Sequence, residues 1–186
     1  LALQYVNSIS NLSSLMNEEL VSGVEKLVAY VQDNDINTLQ MPYIQEITTV
    51  IDSTVNRFWN WAILAGRMAN KETLKEIVER GRILSEYKDV MINRAISNAQ
   101  ELTINGSTIP CVNTTVFHSE IGTGLAKDHP FALTWRTGTK GYVLVSLRSD
   151  KDGVDVECIA KKLGGGGHKH AAAFKTTIDE MLSYLK

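Results

Sequence analysis

A change in hydrophobic periodicity near residue 102 constrains the fold of this chain more than any other feature. Before it, apolar residues recur every three or four positions, which is the spacing of one face of an α-helix. After it, β-branched and aromatic residues gather in short runs between turn residues, which is typical of strands. The sequence therefore predicts an α/β (α+β) fold: a helical N-terminal part and a long linking helix, followed by a small α/β domain with a mixed sheet.

The longest helical pattern occupies residues 70–102 and contains no proline. It begins at Asn70 or Lys71, and its apolar stripe includes Ile77 and Leu84. A helix of this length is typical of a connection between two bodies rather than of an element buried in one core. We therefore predict three parts. They are a helical part over residues 1–66, a linking helix over 67–101 and an α/β domain over 102–186.

The helical part is interrupted once, by the sequence DNDINTLQMP at residues 33–42, whose Asp, Asn and Pro residues are typical of loops. The helical pattern that follows carries large aromatic side chains. We predict that Trp59 and Trp61 belong to the core of the helical part.

The C-terminal part alternates strand and helix patterns. Asn105 and Gly106 form a dipeptide that favours a two-residue hairpin turn, and residues 131–149 contain two strand-like runs around a glycine-containing turn. One short helix is expected within residues 118–130, with Ser119 as its N-cap. Another is expected within residues 152–167, where glycines end it. A strand over residues 171–176 and a final helix after it complete the predicted domain.

The run GGGGHKH at residues 164–170 invites three interpretations: a phosphate site, a metal site or a tight turn. It is not a P-loop, because its glycines follow a helix and no Ser or Thr follows Lys169. A dinucleotide fingerprint fails as well, because its glycines open a helix. On a strand, His168 and His170 would share one face, but they lack a carboxylate or cysteine partner. A turn and a phosphate site formed by backbone N–H groups both stay open.

Charge and cysteine content narrow the class of protein. The net charge is -2, so phosphate recognition must come from a local patch rather than from the whole surface. Cys111 and Cys158 lie far apart and fit no metal-ligand spacing, which indicates a reduced, cytoplasmic protein.

No apolar run is long enough to span a bilayer, so we expect no membrane partner. The chain begins at Leu1 inside a helical pattern, and we expect it to be part of something longer.

Residues 146–174 resemble the C-terminal DHH-associated domain of DHH-family phosphoesterases. That domain shows a strand ending in S-x-R, a D-V-x-x-I-A helix and a G-G-G-H-x-x-A-A-G-F segment. The chain matches these blocks with the following residues: Ser146, Arg148, Asp155, Val156, Ile159, Ala160, Gly165, Gly166, Gly167, His168, Ala171, Ala172 and Phe174. Ala173 departs from the pattern, where glycine is usual. Upstream, residues 118–125 resemble the family's S-E-[LIV]-G-x-x-L segment.

Residues 30–42 resemble the segment that closes the family's N-terminal catalytic domain, with Asp33 and Asp35 on its acidic positions. Ile36 and Asn37 depart from the residues usual there. The family's Asp-His-His triplet does not occur in this chain, and no D-x-D motif precedes the segment that contains Asp33 and Asp35. The resemblance therefore implies the end of a catalytic domain, a linking helix and a complete associated domain.

Members of this family are Mn²⁺- or Mg²⁺-dependent phosphodiesterases, acting on short oligonucleotides, cyclic dinucleotides or related phosphates through two-metal hydrolysis. The resemblance implies that the substrate phosphate is bound by Arg148, Gly165, Gly166, Gly167 and His168. It implies Asp35, and as second choice Asp33, as metal ligands in the intact enzyme. It also implies that this chain alone contains no complete catalytic set, holds no metal and is inactive.

Several alternatives stay open. Asp33 and Asp35 are equally suited to solvating or capping a loop, and Arg148 to a surface ion pair with Asp150 or Asp152. The chain as a whole is also compatible with a stand-alone module that binds nucleotides or single-stranded nucleic acid. Aromatic residues that could stack on a base are Phe117, His118, Trp135 and Tyr142. We further expect a homodimer or self-association through an apolar face of residues 1–40.

Overall fold

A computed structural model describes residues 18–36, 38–138 and 141–184 of the protein. The chain divides into two compact units, Leu1–Lys88 and Asp89–Lys186. The predicted α/β (α+β) class, with a helical N-terminal part and a mixed sheet after it, is confirmed.

The first unit is helical. Its helices are α1 (Glu18–Asp35), α2 (Ile44–Ser53), α3 (Phe58–Ala69) and α4 (Lys71–Ile96), the last of which continues into the second unit. The predicted start of α4 is confirmed, because the Asn70 side chain accepts hydrogen bonds from the backbone N–H groups of Glu72, at 2.8 Å, and Thr73, at 3.3 Å. This cap satisfies donors that the first turn of a helix leaves without an intrahelical partner.

Helices α1 and α3 lie in close contact at Gly23, where a Cβ atom would be 1.9 Å from the carbonyl oxygen of Ala65. The side chains that form the core of this unit are Leu27, Tyr30, Ile44, Ile47, Val50, Ile51, Leu64, Ala65, Met68, Ile77 and Val78. Trp61 is partly buried against this core. The prediction for Trp59 was wrong, since its side chain is 74% exposed. It lies off the helical stripe that carries Trp61, Ala65 and Met68 inward.

The second unit contains a six-stranded sheet in the order β1-β2-β3-β4-β6-β5. Its strands are β1 (Gln100–Ile104), β2 (Ser107–Asn113), β3 (Ala132–Thr137), β4 (Val143–Arg148), β5 (Gly166–His168) and β6 (Ala171–Thr176). Only β2 and β3 pair in parallel, which makes the sheet mixed. The predicted hairpin turn is confirmed at Asn105 and Gly106, whose φ angles of 51° and 77° are those that such a turn requires.

Helices cover the two faces of this sheet unequally. Helices α6 (Val156–Lys162) and α7 (Ile178–Tyr184) pack on the apolar face, with Leu147 and Phe174 among the buried side chains. Helix α5 (His118–Ala126) packs on the opposite face, where Ile121 and Leu125 meet Val112 and Ala132 of β2 and β3. Side chains alternate between faces along a strand. On β4 and β6 the side chains of this second face are half-buried or exposed.

Within the described residues, no helix combines the length and the apolar character needed to cross a bilayer.

Candidate functional site

The first of the four glycines ends a helix. Gly164 has a φ of 77°, and its N–H donates to the carbonyl of Lys161 at 3.2 Å, while the N–H of Gly165 donates to Ala160 at 2.8 Å. This pair of bonds with a left-handed residue is the Schellman arrangement. The prediction that glycines end this helix is therefore confirmed.

The next three glycines approach strand β6 to different degrees. A Cβ atom on Gly165 would lie 2.1 Å from the carbonyl oxygen of Ala173, and one on Gly167 would lie 2.5 Å from the Cα of Ala172. Nothing lies within 4 Å of a Cβ built on Gly166. Close backbone packing thus explains Gly165 and Gly167, whereas Gly166 borders open space.

The glycine segment is not a plain turn, because it forms the edge strand β5, which pairs with β6. Its register places His168 opposite Ala171, and on the other side of β6 Ala171 lies opposite Arg148. Directly opposed residues share a face of a sheet, and neighbouring strands lie about 5 Å apart. Arg148 and His168 therefore stand on one face, roughly 10 Å apart at their Cα atoms. We call Arg148, Ala171 and His168 the Arg148 row.

The adjoining positions on this face carry small side chains. Ser146 of β4 lies opposite Ala173 of β6, which in turn lies opposite Gly166 of β5. Thr134 of β3 continues this line on the other side of Ser146. We call these four residues the small-residue row. Thr134 is buried, so Ser146, Ala173 and Gly166 form a shallow floor beside Ala171, which itself lies between the longer Arg148 and His168 side chains.

Arg148 is held in place by helix α5. Its Nη2 group donates to the hydroxyl of Ser119 at 2.8 Å. Its Nη1 group donates to the backbone carbonyl of the preceding residue, Leu147, at 2.9 Å. Burial lowers the pKa of the Arg148 guanidinium, and the nearby Glu120 carboxylate acts in the opposite direction. An arginine side chain nevertheless stays charged in proteins, so this row carries a fixed positive charge.

Ser119 and Gly122 have roles that the sequence patterns did not predict. Helix α5 begins at His118 after Phe117, so Ser119 lies inside the first turn and is not the predicted N-cap. Its hydroxyl contacts Arg148 instead. A Cβ on Gly122 would lie 2.9 Å from the Cγ of Arg148, so glycine makes room for the arginine stem. The S-E-x-G spacing places Ser119 and Gly122 on one side of a helix, and this spacing was the sequence signal that both residues contact the same neighbour.

The two histidines of the glycine segment do not share a strand. His168 ends β5 and is exposed, whereas His170 lies in the following turn. There the Nδ1 of His170 shares a hydrogen bond of 3.1 Å with the hydroxyl of Ser149. The condition under which both imidazoles would share a strand face is therefore not met, because β5 ends at His168. The side-chain hydrogen bonds of Arg148 within the described chain go to Ser119 and Leu147, not to Asp150 or Asp152.

Asp33 lies in the other unit and is 8% exposed. Its carboxylate accepts hydrogen bonds from the Thr38 hydroxyl and from the N–H groups of Gln40, at 3.2 Å, and Met41, at 2.9 Å. The bond from Thr38 and then that from Met41 are the main causes that hold the pKa of Asp33 below the usual value of 3.8. Asp35 is the last residue of α1 and is exposed.

These carboxylates do not by themselves fit a catalytic Mn²⁺ or Mg²⁺ site. Such a cation takes several oxygen ligands, and the Asp33 carboxylate is already bonded three times within its loop. The part of the chain that the structure describes brings together no group of three His, Cys, Asp or Glu side chains suited to a metal. The assignment of Asp35 and Asp33 as ligands in an intact enzyme stays a prediction.

Comparison with known proteins gives a family match for the C-terminal part. Residues 125–186 match the DHHA1 domain. Oligoribonuclease NrnB of Bacillus subtilis (strain 168) is 41% identical over 61 residues, which cover 33% of this chain and 15% of NrnB. An uncharacterized protein of Acanthamoeba polyphaga mimivirus is 27% identical over 157 residues, which cover 80% of this chain and 36% of that protein.

Among solved structures, the pGpG-specific phosphodiesterase PggH of Vibrio cholerae has a similar fold. Its TM-score is 0.54 at 12% identity, and the match covers 87% of this chain and 64% of that one. Of the two curated relatives named above, the chain spans about a third of the length of the mimivirus protein and less of NrnB. The predicted resemblance to DHH-family phosphoesterases is confirmed, and the DHHA1 match includes Arg148, His168 and the whole glycine run.

Proposed function

Because residues 125–186 match the DHHA1 domain, we propose that this chain supplies the phosphate-binding part of a DHH phosphodiesterase acting on short oligonucleotides or nucleotides. The observation that carries the proposal is the Arg148 row, in which a fixed cation and an exposed imidazole flank a floor of small residues. The names of two relatives, an oligoribonuclease and a pGpG-specific phosphodiesterase, agree with a nucleotide phosphate as the ligand.

Arg148 is the main phosphate contact in this proposal. A guanidinium has five N–H donors in a planar fork that matches two phosphate oxygens. Two of these donors serve Ser119 and Leu147, which fixes the plane of the group. The remaining N–H groups donate to the phosphate. Preorganisation by Ser119 reduces the ordering that binding would otherwise require.

His168 contacts the phosphate from the opposite side of Ala171. Its position at the end of β5 leaves the imidazole exposed, and the Ala171 methyl group is too short to fill the space between it and Arg148. Gly166, which borders open space, lets the ligand approach the backbone of the edge strand. Gly165 and Gly167 contribute by holding that strand close to β6.

In this proposal the catalytic metal is bound by residues other than those of the Arg148 row. We propose Mn²⁺ or Mg²⁺ as the cofactor of the intact enzyme, with Asp35 as a ligand and Asp33 as the alternative. Because the family's Asp-His-His triplet does not occur in this chain, we expect that this chain alone binds the substrate without hydrolysing it. Incubation with Mn²⁺ and pGpG, followed by chromatography, should leave the dinucleotide intact; turnover that scales with the concentration of this chain would contradict the claim.

Isothermal titration with pGpG tests the binding claim. The wild-type chain should bind, and Arg148→Ala should weaken binding by about 10- to 100-fold, because a hydrogen-bonded charge pair is lost. Lys162→Ala is the matched control, since it removes one exposed positive charge from α6, on the opposite face of the sheet. Equal affinities for wild type and Arg148→Ala would overturn the proposal.

We propose in addition that the chain self-associates. Large apolar side chains of the first unit are exposed, among them Phe58, Trp59 and Ile63 on α3. Contiguous exposed apolar side chains often mark interaction surfaces. Light scattering should give a mass above that of one chain, and Trp59→Ser should lower it. A monomer at high concentration would contradict this proposal.

A further inference from the structure

A second line of cationic residues crosses the same face of the sheet. Arg136 of β3 lies opposite Leu144 of β4, and Leu144 lies opposite Lys175 of β6. Because Leu144, Ser146 and Arg148 alternate with the buried side chains of β4, this line shares its face with the Arg148 row. We call Arg136, Leu144 and Lys175 the Arg136 row.

The distance between the two cationic rows follows from the strand geometry. Leu144 and Arg148 are four residues apart on β4, which corresponds to about 13 Å along the strand. The small-residue row of Thr134, Ser146, Ala173 and Gly166 lies midway between them. The face therefore presents two positively charged ends, and the floor between them is formed by Ser146, Ala173 and Gly166, since Thr134 is buried.

The floor near Arg136 is a shallow polar cleft. It is lined by Thr114, His118, Thr134, Trp135, Arg136, Leu144 and Ser146. Ser146 and Arg136 line this space, whereas the hydroxyl of Thr134, which is 1% exposed, donates to the backbone carbonyl of His118 at 3.3 Å. The cleft thus offers the Ser146 hydroxyl beside the Arg136 cation, which suits an oxyanion such as a phosphate.

Lys175 is kept on this face by an aromatic contact. Its Nζ lies 5.0 Å from the centroid of the Tyr142 ring, within the range of a cation–π interaction. The ring itself packs on Gly138, where a Cβ would be 2.4 Å from Cε2 of Tyr142. The ammonium group is exposed at this position and stays available to a ligand.

We propose that Arg136 and Lys175 form a second phosphate subsite, which binds a phosphate further along an oligonucleotide whose first phosphate lies on the Arg148 row. The proposal rests on the proposed function of the Arg148 row. It adds a length requirement: a mononucleotide reaches one row only, whereas an oligonucleotide bridges both. The small-residue row leaves room for the sugar and base between them.

The test compares GMP with the trinucleotide pGpGpG at several salt concentrations. For the wild-type chain, the trinucleotide should bind more tightly and show a steeper dependence of log K on log [salt]. Arg136→Ala and Lys175→Ala should each weaken trinucleotide binding about five-fold and lower this slope by roughly 0.7, the value for one phosphate contact on a single strand. GMP affinity should not change. Lys162→Ala should change neither quantity.

Failure of the second subsite is distinct from failure of the first. GMP binding that depends on Arg148, combined with trinucleotide affinity and slope that are the same in wild type, Arg136→Ala and Lys175→Ala, would overturn the second subsite alone. Absence of binding by both ligands would overturn the proposed function and the second subsite together. Circular dichroism melting curves of the variants should match the wild type, which confirms that lost affinity reflects lost contacts.

Discussion

Asp33 and Arg148 occupy motif positions of the same family resemblance, yet their surroundings differ. Three groups of its own loop donate to the Asp33 carboxylate, which is nearly buried. Arg148 uses Ser119 and Leu147 as anchors, and its cross-strand neighbours are the small residues Ala132 and Ala171. The Asp33 carboxylate is occupied inside its loop, whereas Arg148 packs against α5 and borders the small Ala171 side chain on its β6 side.

The difference separates a structural role from a binding role. A carboxylate that satisfies the N–H groups of a loop stabilises that loop, and using it as a ligand would leave those donors unpaired. A guanidinium with spare donors beside small residues can accept a ligand without such a cost. Under the proposed function the Arg148 row is the binding element, while the hydrogen bonds of Asp33 stabilise its loop and make Asp35 the preferred metal ligand.

The largest effect should come from the glycines of the binding element. Gly165→Ala places a methyl group against the Ala173 carbonyl, whereas Gly166→Ala points into open space. Overpacking of this kind costs about 1–3 kcal/mol, so Gly165→Ala should lower the free energy of unfolding by that amount in urea denaturation. Gly166→Ala should leave stability nearly unchanged but weaken pGpG binding. The reverse order of stabilities would contradict the division of roles among these glycines.

Arg148→Lys separates the contribution of the positive charge to binding from that of the planar guanidinium. Lysine keeps the positive charge but loses the planar fork and the bond to Ser119. Binding of pGpG should weaken about 10-fold, corresponding to about 1.4 kcal/mol, while the salt dependence of binding stays close to that of the wild type. Full affinity in this variant would indicate that only charge matters at this position.

Ser119→Ala should have a smaller effect on binding. It removes the anchor of the Arg148 Nη2 group, and a single hydrogen bond contributes about 0.5–1.5 kcal/mol. Calorimetry should give a few-fold weaker affinity for pGpG. Ser119→Thr, which retains a hydroxyl, should restore most of it. If both variants bind equally well, Ser119 is only a helix residue and not a positioning residue.

The smallest effect on binding should come from Asp33, whose substitution changes how stability depends on pH. Its folded pKa lies below the usual 3.8, so its hydrogen bonds stabilise the fold above that pH, and this contribution is lost as the pH falls through the lowered value. Asp33→Asn should reduce stability at pH 7 and flatten the loss of stability between pH 5 and 3. Asp35→Asn, at an exposed position, is the matched control and should behave like the wild type. Thermal unfolding across this pH range checks both.

The turn and the helix start could be predicted from the sequence because each depends on one or two neighbouring residues. Asn105 and Gly106 determine their hairpin turn, and Asn70 begins α4 through its own cap. The glycine run was harder to interpret. Only the pairing with β6 reveals that Gly166 belongs to a strand and that His168 shares a row with Arg148.

Long-range packing was beyond the sequence patterns. Ser119 looked like an N-cap, since hydroxyl residues are common there, but its partner is 29 residues away at Arg148. Trp59 looked like a core residue because of its size, yet its place on α3 leaves it exposed. Such roles depend on which face of an element meets its neighbour, and periodicity alone does not determine that for short segments.

Amide shifts from NMR spectroscopy test the central claim most directly. The ¹⁵N-labelled full chain is titrated with pGpG in the absence of divalent metal, with Arg148→Ala as the comparison. The account predicts that shifts concentrate at residues 146–148 and 166–171 of the wild-type chain, disappear in Arg148→Ala, and leave residues 33–41 unchanged. Shifts centred on residues 33–41, or a response that persists in Arg148→Ala, would contradict it.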